Sequence, residues 1–146
     1  AIILASSARD FVFGRSKDGV GGVYAAWADD TARFLNFGHF LYDCSYPDEF
    51  AGPTIALSGG RFTRVAICWW DIPSHSEYFS RPSTNLNFKL NDPSGVAVPS
   101  QGVSNDNAWE LIEFDAPVTG NYQIFITRGH CNNPVGRVGY AWWQNF

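Results

Sequence analysis

The stretch Thr84-Asn85-Leu86-Asn87-Phe88-Lys89-Leu90-Asn91 decides the fold. Leu86, Phe88 and Leu90 alternate with Asn85, Asn87, Lys89 and Asn91, the period of a strand with one face buried and one in water. Asp92-Pro93-Ser94-Gly95 ends it as a turn with proline at the second position. The same signature repeats on either side. Arg61 to Trp70 puts Val65, Ile67 and Trp69 on one face, and Ala108 to Phe114 is a strand closed by Asp115-Ala116-Pro117. Gly120 leads into Tyr122, Ile124 and Ile126, and Val138 to Trp143 lies close to the C-terminus. Shorter strands are expected at Phe37–Leu41 and Thr54–Leu57. Seven or eight short strands, each with one polar face, predict a mainly β chain with two antiparallel sheets packed as a sandwich.

Upstream of Phe34 the pattern changes. Ile2-Ile3-Leu4-Ala5 is an apolar stub, and Val23 to Ala28 with Ala32 gives a second short, Ala-rich helix. Four glycines at positions 14, 19, 21 and 22 forbid regular helix between them. The chain therefore divides into residues 1–33, carrying two short helices, and residues 34–146, the sandwich. It contains no Met, and its apolar start lacks the charged segment that opens a signal peptide. It is expected to be a processed or truncated piece of something larger.

Composition limits the function. The 146 residues, 16% charged with a net charge of −4, carry no basic cluster suited to nucleic acid. No apolar run approaches the roughly 20 residues that span a bilayer. No Cys-x-x-Cys or Gly-x-Ser-x-Gly occurs, and His39, His75 and His130 have no fixed partner in sequence. Glu110 and Glu113, three apart on a strand, point to opposite faces and cannot act as a carboxylate pair. Cys68 sits in an apolar run, as a free thiol does. Cys44 and Cys131 lie in turn-like contexts; if the protein is exported and any pair is bridged, it is this one.

Two features remain as sites. Oxygen-rich loops could offer calcium the side chains of Asp71, Asp92, Asp106 and Glu110; the same residues also suit Asx turns, which cap their own backbone. Trp70, Trp142 and Trp143 form the candidate aromatic surface, because a Trp-Trp pair in a strand sends one ring to each face.

A run of further motifs resembles the C-terminal part of large subtilisin-like serine proteases. Trp69-Trp70-Asp71-Ile72-Pro73, the 84–90 strand, Asp92-Pro93-Ser94-Gly95 and Asn105-Asp106-Asn107-Ala108-Trp109-Glu110 follow the order of the family's jelly-roll domain. Ala116-Pro117, Gly120, Tyr122 and Ile124 look like its closing step. Where the family strand carries paired Asp, this chain has Asn85 and Asn87. Ala1 to Ala8 and Asp18 to Ala28 are similar to the last helices of the catalytic domain. The family's Asp, His and Gly-Thr-Ser segments would all precede Ala1, so no catalytic role passes to any residue here.

The resemblance implies a jelly-roll-like accessory domain of a secreted peptidase. Such a domain would pack against the catalytic domain as its partner, stabilise it and help dock protein or polysaccharide substrate. The competing expectation is a carbohydrate-binding module that uses exposed Trp. The discriminating feature is whether Trp70, Trp142 and Trp143 form a planar exposed row or are covered by residues 1–33.

Overall fold

A computed structural model describes residues 1–5, 7–8, 22–23, 25–70, 83–103, 107–132 and 136–145. One helical turn, α1 (Ile2–Ala5), and a nine-residue helix, α2 (Ala25–Arg33), precede the sandwich. A minimal ladder of β1 (Ser7–Ala8) and β2 (Gly22–Val23) joins them. Eight longer strands follow: β3 (Phe37–Tyr42), β4 (Glu49–Leu57), β5 (Phe62–Trp69) and β6 (Thr84–Asn91), then β7 (Ala97–Gly102), β8 (Trp109–Asp115), β9 (Gly120–Cys131) and β10 (Gly136–Gln144).

These eight form two antiparallel four-stranded sheets. One has the order β3-β10-β5-β8 and the other β4-β9-β6-β7. The period-two reading fixes the core. Leu86, Phe88 and Leu90 face Tyr122, Ile124 and Ile126 within one sheet, and Val65, Ile67 and Trp69 with Ile112 and Val138 fill the other side. All are 6% exposed or less. Full burial of one such side chain stabilises by about 1.5–3 kcal/mol.

The turn after β6 forms as its sequence requires. Asp92 Oδ1 accepts from the Ser94 N–H (2.9 Å), the Ser94 hydroxyl (2.6 Å) and the Val96 N–H (2.9 Å). The Gly95 N–H donates to the Asp92 carbonyl (2.9 Å), and Gly95 takes φ +85°, where any side chain would be strained. Pro53 sits in edge strand β4 at a break in register between Ala51 and Thr54, where a missing N–H is tolerated. The Gln123 amide covers that break, donating to the carbonyls of Gly52 (2.5 Å), Ile124 (3.0 Å) and Pro53 (3.3 Å).

Two sequence expectations need correction, and one strand was not foreseen. The second helix starts at Ala25 rather than Val23 and runs to Arg33. β7 had no distinct signal, because Pro99, Ser100 and Gln101 break the apolar alternation of an edge strand. Asn85, expected in water, is 2% exposed. A shift in register between Asn85 and Leu86 lays Gly129 against its amide, which leaves no room even for a Cβ at Gly129.

Cys44 and Cys131 are joined in a disulfide, while Cys68 is a free, half-buried thiol. The bridge ties the segment after β3 to the end of β9, one strand from each sheet. Such a bond belongs to an oxidising compartment, so the chain is extracytoplasmic. No helix of the described residues is long and apolar enough to cross a membrane.

Candidate functional site

The outer face of the β3-β10-β5-β8 sheet meets the N-terminal segment. Ala66 on β5, Leu111 on β8 and Ala141 on β10 leave a shallow apolar floor, and Ala5 of α1 is fully buried on it. Ala1, Ile2 and Trp109 close the rim. Small residues on the strands are what let a helical turn approach so near. Beside it, Arg64 and Glu113 pair across neighbouring strands at 3.1 Å, with the Arg64 side chain 3% exposed. Glu110 lies on the other face of β8, opposite Ile67 and directed into the sandwich.

Trp142 and Trp143 separate as adjacent strand residues must. Trp143 turns outward, is 6% exposed and stacks on Trp27 of α2 with centroids 4.1 Å apart. Trp142 turns inward and lies parallel to Tyr140 at 6.1 Å. Trp70, 76% exposed, stands just past the end of β5. The three expected surface residues therefore form no planar row: one is covered by α2, one packs with the core, and one stands in solvent.

At the C-terminal end of β10, α2 and the sandwich enclose a half-open cleft of about 220 Å³. Its position follows from how α2 stops. The Asn36 N–H donates to the Thr31 carbonyl (2.9 Å) and the Leu35 N–H to that of Ala32 (3.2 Å), with Leu35 at φ +55°. This is a Schellman ending with leucine where glycine is usual. The reversal brings Asn36 alongside β10, where its carbonyl accepts from the Trp142 N–H (2.9 Å). Asp30 and Phe34 then border the cleft on one side, Ser58 and Arg61 on the other, with Trp142 and Trp143 between. Gln144 closes the base. Its amide donates to the Ser58 carbonyl (3.1 Å) and the Thr63 hydroxyl (2.8 Å) and accepts from the Ser58 N–H (2.9 Å). The Arg61 guanidinium reaches the Asn145 carbonyl at 3.3 Å.

Of the four calcium candidates, Asp92 and Glu110 lie among the described residues, and these two are not brought together. Asp71 and Asp106 lie outside the described residues. Asp92 spends one oxygen on its own turn, and Glu110 is carried inward near Gly102, at the far end of β7 from Asp92. Among the described residues no group of three or more His, Cys, Asp or Glu is placed to hold a metal. The Asp92 carboxyl is held below its ordinary range, first by the Ser94 hydroxyl and then by the Val96 N–H. Asp43 is lowered in the same way by Ser45, whereas burial pushes the Tyr42 phenol up. His39 and His130 stand on different sheets, and His75 is outside the described residues.

The sequence pointed to Trp142 and Trp143 but not to Asp30, Asn36, Ser58 or Arg61. These four come from a helix end and the connection from β4 to β5 between the two sheets, segments with no periodicity to mark them.

No family model matches the chain, and no curated protein matches it. The resemblance to the subtilase C-terminal region thus has no family assignment behind it. Among solved structures, the chain is similar to the crystal structure of Aeromonas hydrophila PliG, a periplasmic lysozyme inhibitor of g-type lysozyme. Identity is 14%, covering 75% of this chain and 82% of that one, with a TM-score of 0.41.

Proposed function

We propose that the chain is a non-catalytic accessory domain of a secreted subtilisin-like serine protease, with residues 1–33 contributed by the end of the catalytic domain. The observation that carries the reading is the covered sheet face. Ala5 is buried on Ala66, Leu111 and Ala141, and Trp27 caps Trp143, so α1 and α2 cover part of the outer face of one sheet. That is the contact an accessory sandwich would make with the domain before it. The strand order also supports the jelly-roll reading. Counted within the sandwich, the sheets run first-eighth-third-sixth and second-seventh-fourth-fifth, an interleaving of two Greek keys. The disulfide suits a secreted parent.

The test has two arms. The purified chain is incubated with casein and a chromogenic peptide, and no hydrolysis is expected. Cleavage that a serine-directed inhibitor abolishes would overturn the non-catalytic assignment. The coding sequence upstream of Ala1 is expected to hold the Asp, His and Ser of a subtilase; a parent without them removes the protease assignment.

A further inference from the structure

We infer that the open edge of β3 pairs with the same edge of a second copy of this chain, about a two-fold axis at His39. This goes beyond the accessory-domain reading and does not depend on it. β3 ends the β3-β10-β5-β8 sheet, and among the described residues no strand lies on its far side. The Trp142 N–H donates to the Asn36 carbonyl, so the alternation of an antiparallel ladder directs Gly38, Phe40 and Tyr42 to β10 as well. Phe37, His39 and Leu41 therefore turn their N–H and C=O groups to the open edge. Their side chains are exposed too, Phe37 by 42% and Leu41 by 62%.

The other edge strands are guarded, and β3 is not. β4 carries Pro53 at its break in register and Glu49 at its start. β7 carries Pro99, and its pairing with β6 shifts register between Lys89 and Asn91. β8 carries Glu110, Glu113 and Asp115. Prolines, charges and bulges are the devices by which sheet edges resist further pairing. β3 reads Phe-Gly-His-Phe-Leu-Tyr, with no proline and no Asp, Glu, Lys or Arg, and its ladder with β10 runs without a bulge.

The strand's own symmetry selects a second copy as the occupant. In an antiparallel pair centred on His39, Phe37 lies opposite the partner's Leu41, and Leu41 opposite the partner's Phe37. Each of these opposed pairs, and the central His39 pair, can exchange both N–H···O=C bonds. Of the self-paired registers the alternation allows, this one alone uses all three outward positions. It sets an aromatic ring beside an aliphatic side chain on the same face, twice, and covers apolar surface that each copy leaves in water. No like charges meet within the paired strands, because β3 carries no Asp, Glu, Lys or Arg. The two-fold uses up both edges, so assembly closes at two copies. A strand of 6 residues makes a small interface, and the dimer is accordingly weak.

The experiment is sedimentation velocity on the purified chain from about 1 μM to about 1 mM, which spans weak self-association. A monomer–dimer equilibrium with no larger species is expected. His39→Pro removes the central N–H donor from both copies but spares the ladder to β10, and should raise the dimer Kd about tenfold or more. His39→Glu and His39→Lys each set like charges across the axis. Each alone should dimerise more weakly than the parent, and an equimolar mixture of the two should recover the dimer. That mixture decides the matter if His39→Pro does not fold. A monomer throughout leaves the edge to a strand of some other protein and overturns the proposal. So does a species larger than the dimer, a dimer that folded His39→Pro leaves unchanged, or a mixture that dimerises no better than either variant alone. None of these readouts involves hydrolysis, so the two proposals fail separately.

Discussion

Leu35 is the residue most visibly at odds with its own backbone. A β-carbon in the left-handed region costs about 1–2 kcal/mol, and Leu35 is 72% exposed, so its side chain recovers little by packing. Leu35→Gly removes the strain but adds freedom to the unfolded chain, worth about 0.4–1 kcal/mol. The net expectation is a gain of about 0.5–1 kcal/mol and a melting temperature raised by a few degrees. An unchanged or lower melting temperature would show that the Schellman turn carries no strain. Asp92 makes the second prediction at this scale. Its pKa is lowered in the folded state, so the charged turn favours folding above the unfolded carboxylate pKa, and that contribution is lost as pH falls through the folded value. Asp92→Asn keeps an acceptor for the turn but removes the charge. It should be less stable than the parent at neutral pH, with the gap closing in acid. A gap that is the same at both pH values would mean that the charge is irrelevant there.

At the scale of elements, α1 and α2 cannot stand alone. A four-residue turn and a nine-residue helix are too short to persist in water, so both depend on the sheet they cover. Trp27→Ala should cost about 0.5–1.5 kcal/mol from the ring contact with Trp143, before any lost burial. Deleting residues 1–33 should lower the melting temperature further and uncover Ala66, Ala141 and Trp143 to a hydrophobic dye. A truncated sandwich with the same melting curve and no added dye binding would make the two helices passengers. The strands most legible in sequence were those with strict alternation. β6 spans Thr84–Asn91 with Leu86 and Leu90 fully buried, because central strands must be apolar on one side. β7 was not legible, since an edge strand with Pro99 and Gln101 packs on one side only and tolerates polar interruption. The cleft was half legible. Trp142 and Trp143 announce themselves by composition, but Asp30 and Asn36 reach the cleft only because Leu35 reverses the chain, and nothing in a Phe-Leu-Asn sequence specifies that reversal.

Over the whole molecule, the two sheets are tied at opposite ends of β10 by different chemistry. Near Gln144 the link is an amide: its side chain holds Ser58, which follows β4 in the opposite sheet. Near Gly136, which is paired with Tyr42, the link is covalent through Cys44 and Cys131. Arg128 reinforces that end by donating to the Cys44 carbonyl and pairing with Asp48. The bridged residues are 87 apart in sequence, and closing so long a loop removes unfolded-state entropy worth about 4–5 kcal/mol in the chain-entropy account. Native-state strain and residual structure in the unfolded chain reduce such gains, so the expected loss for the double variant Cys44→Ala/Cys131→Ala is about 2–5 kcal/mol. Thiol titration supplies the control. The folded, unreduced chain should offer no thiol but that of Cys68, and the reduced, denatured chain all 3 cysteines. Three reactive thiols before reduction would mean that the bridge is not formed in solution. With the bridge formed, a double variant as stable as the parent would place the sheet-to-sheet cohesion in the apolar core and the Gln144 amide alone.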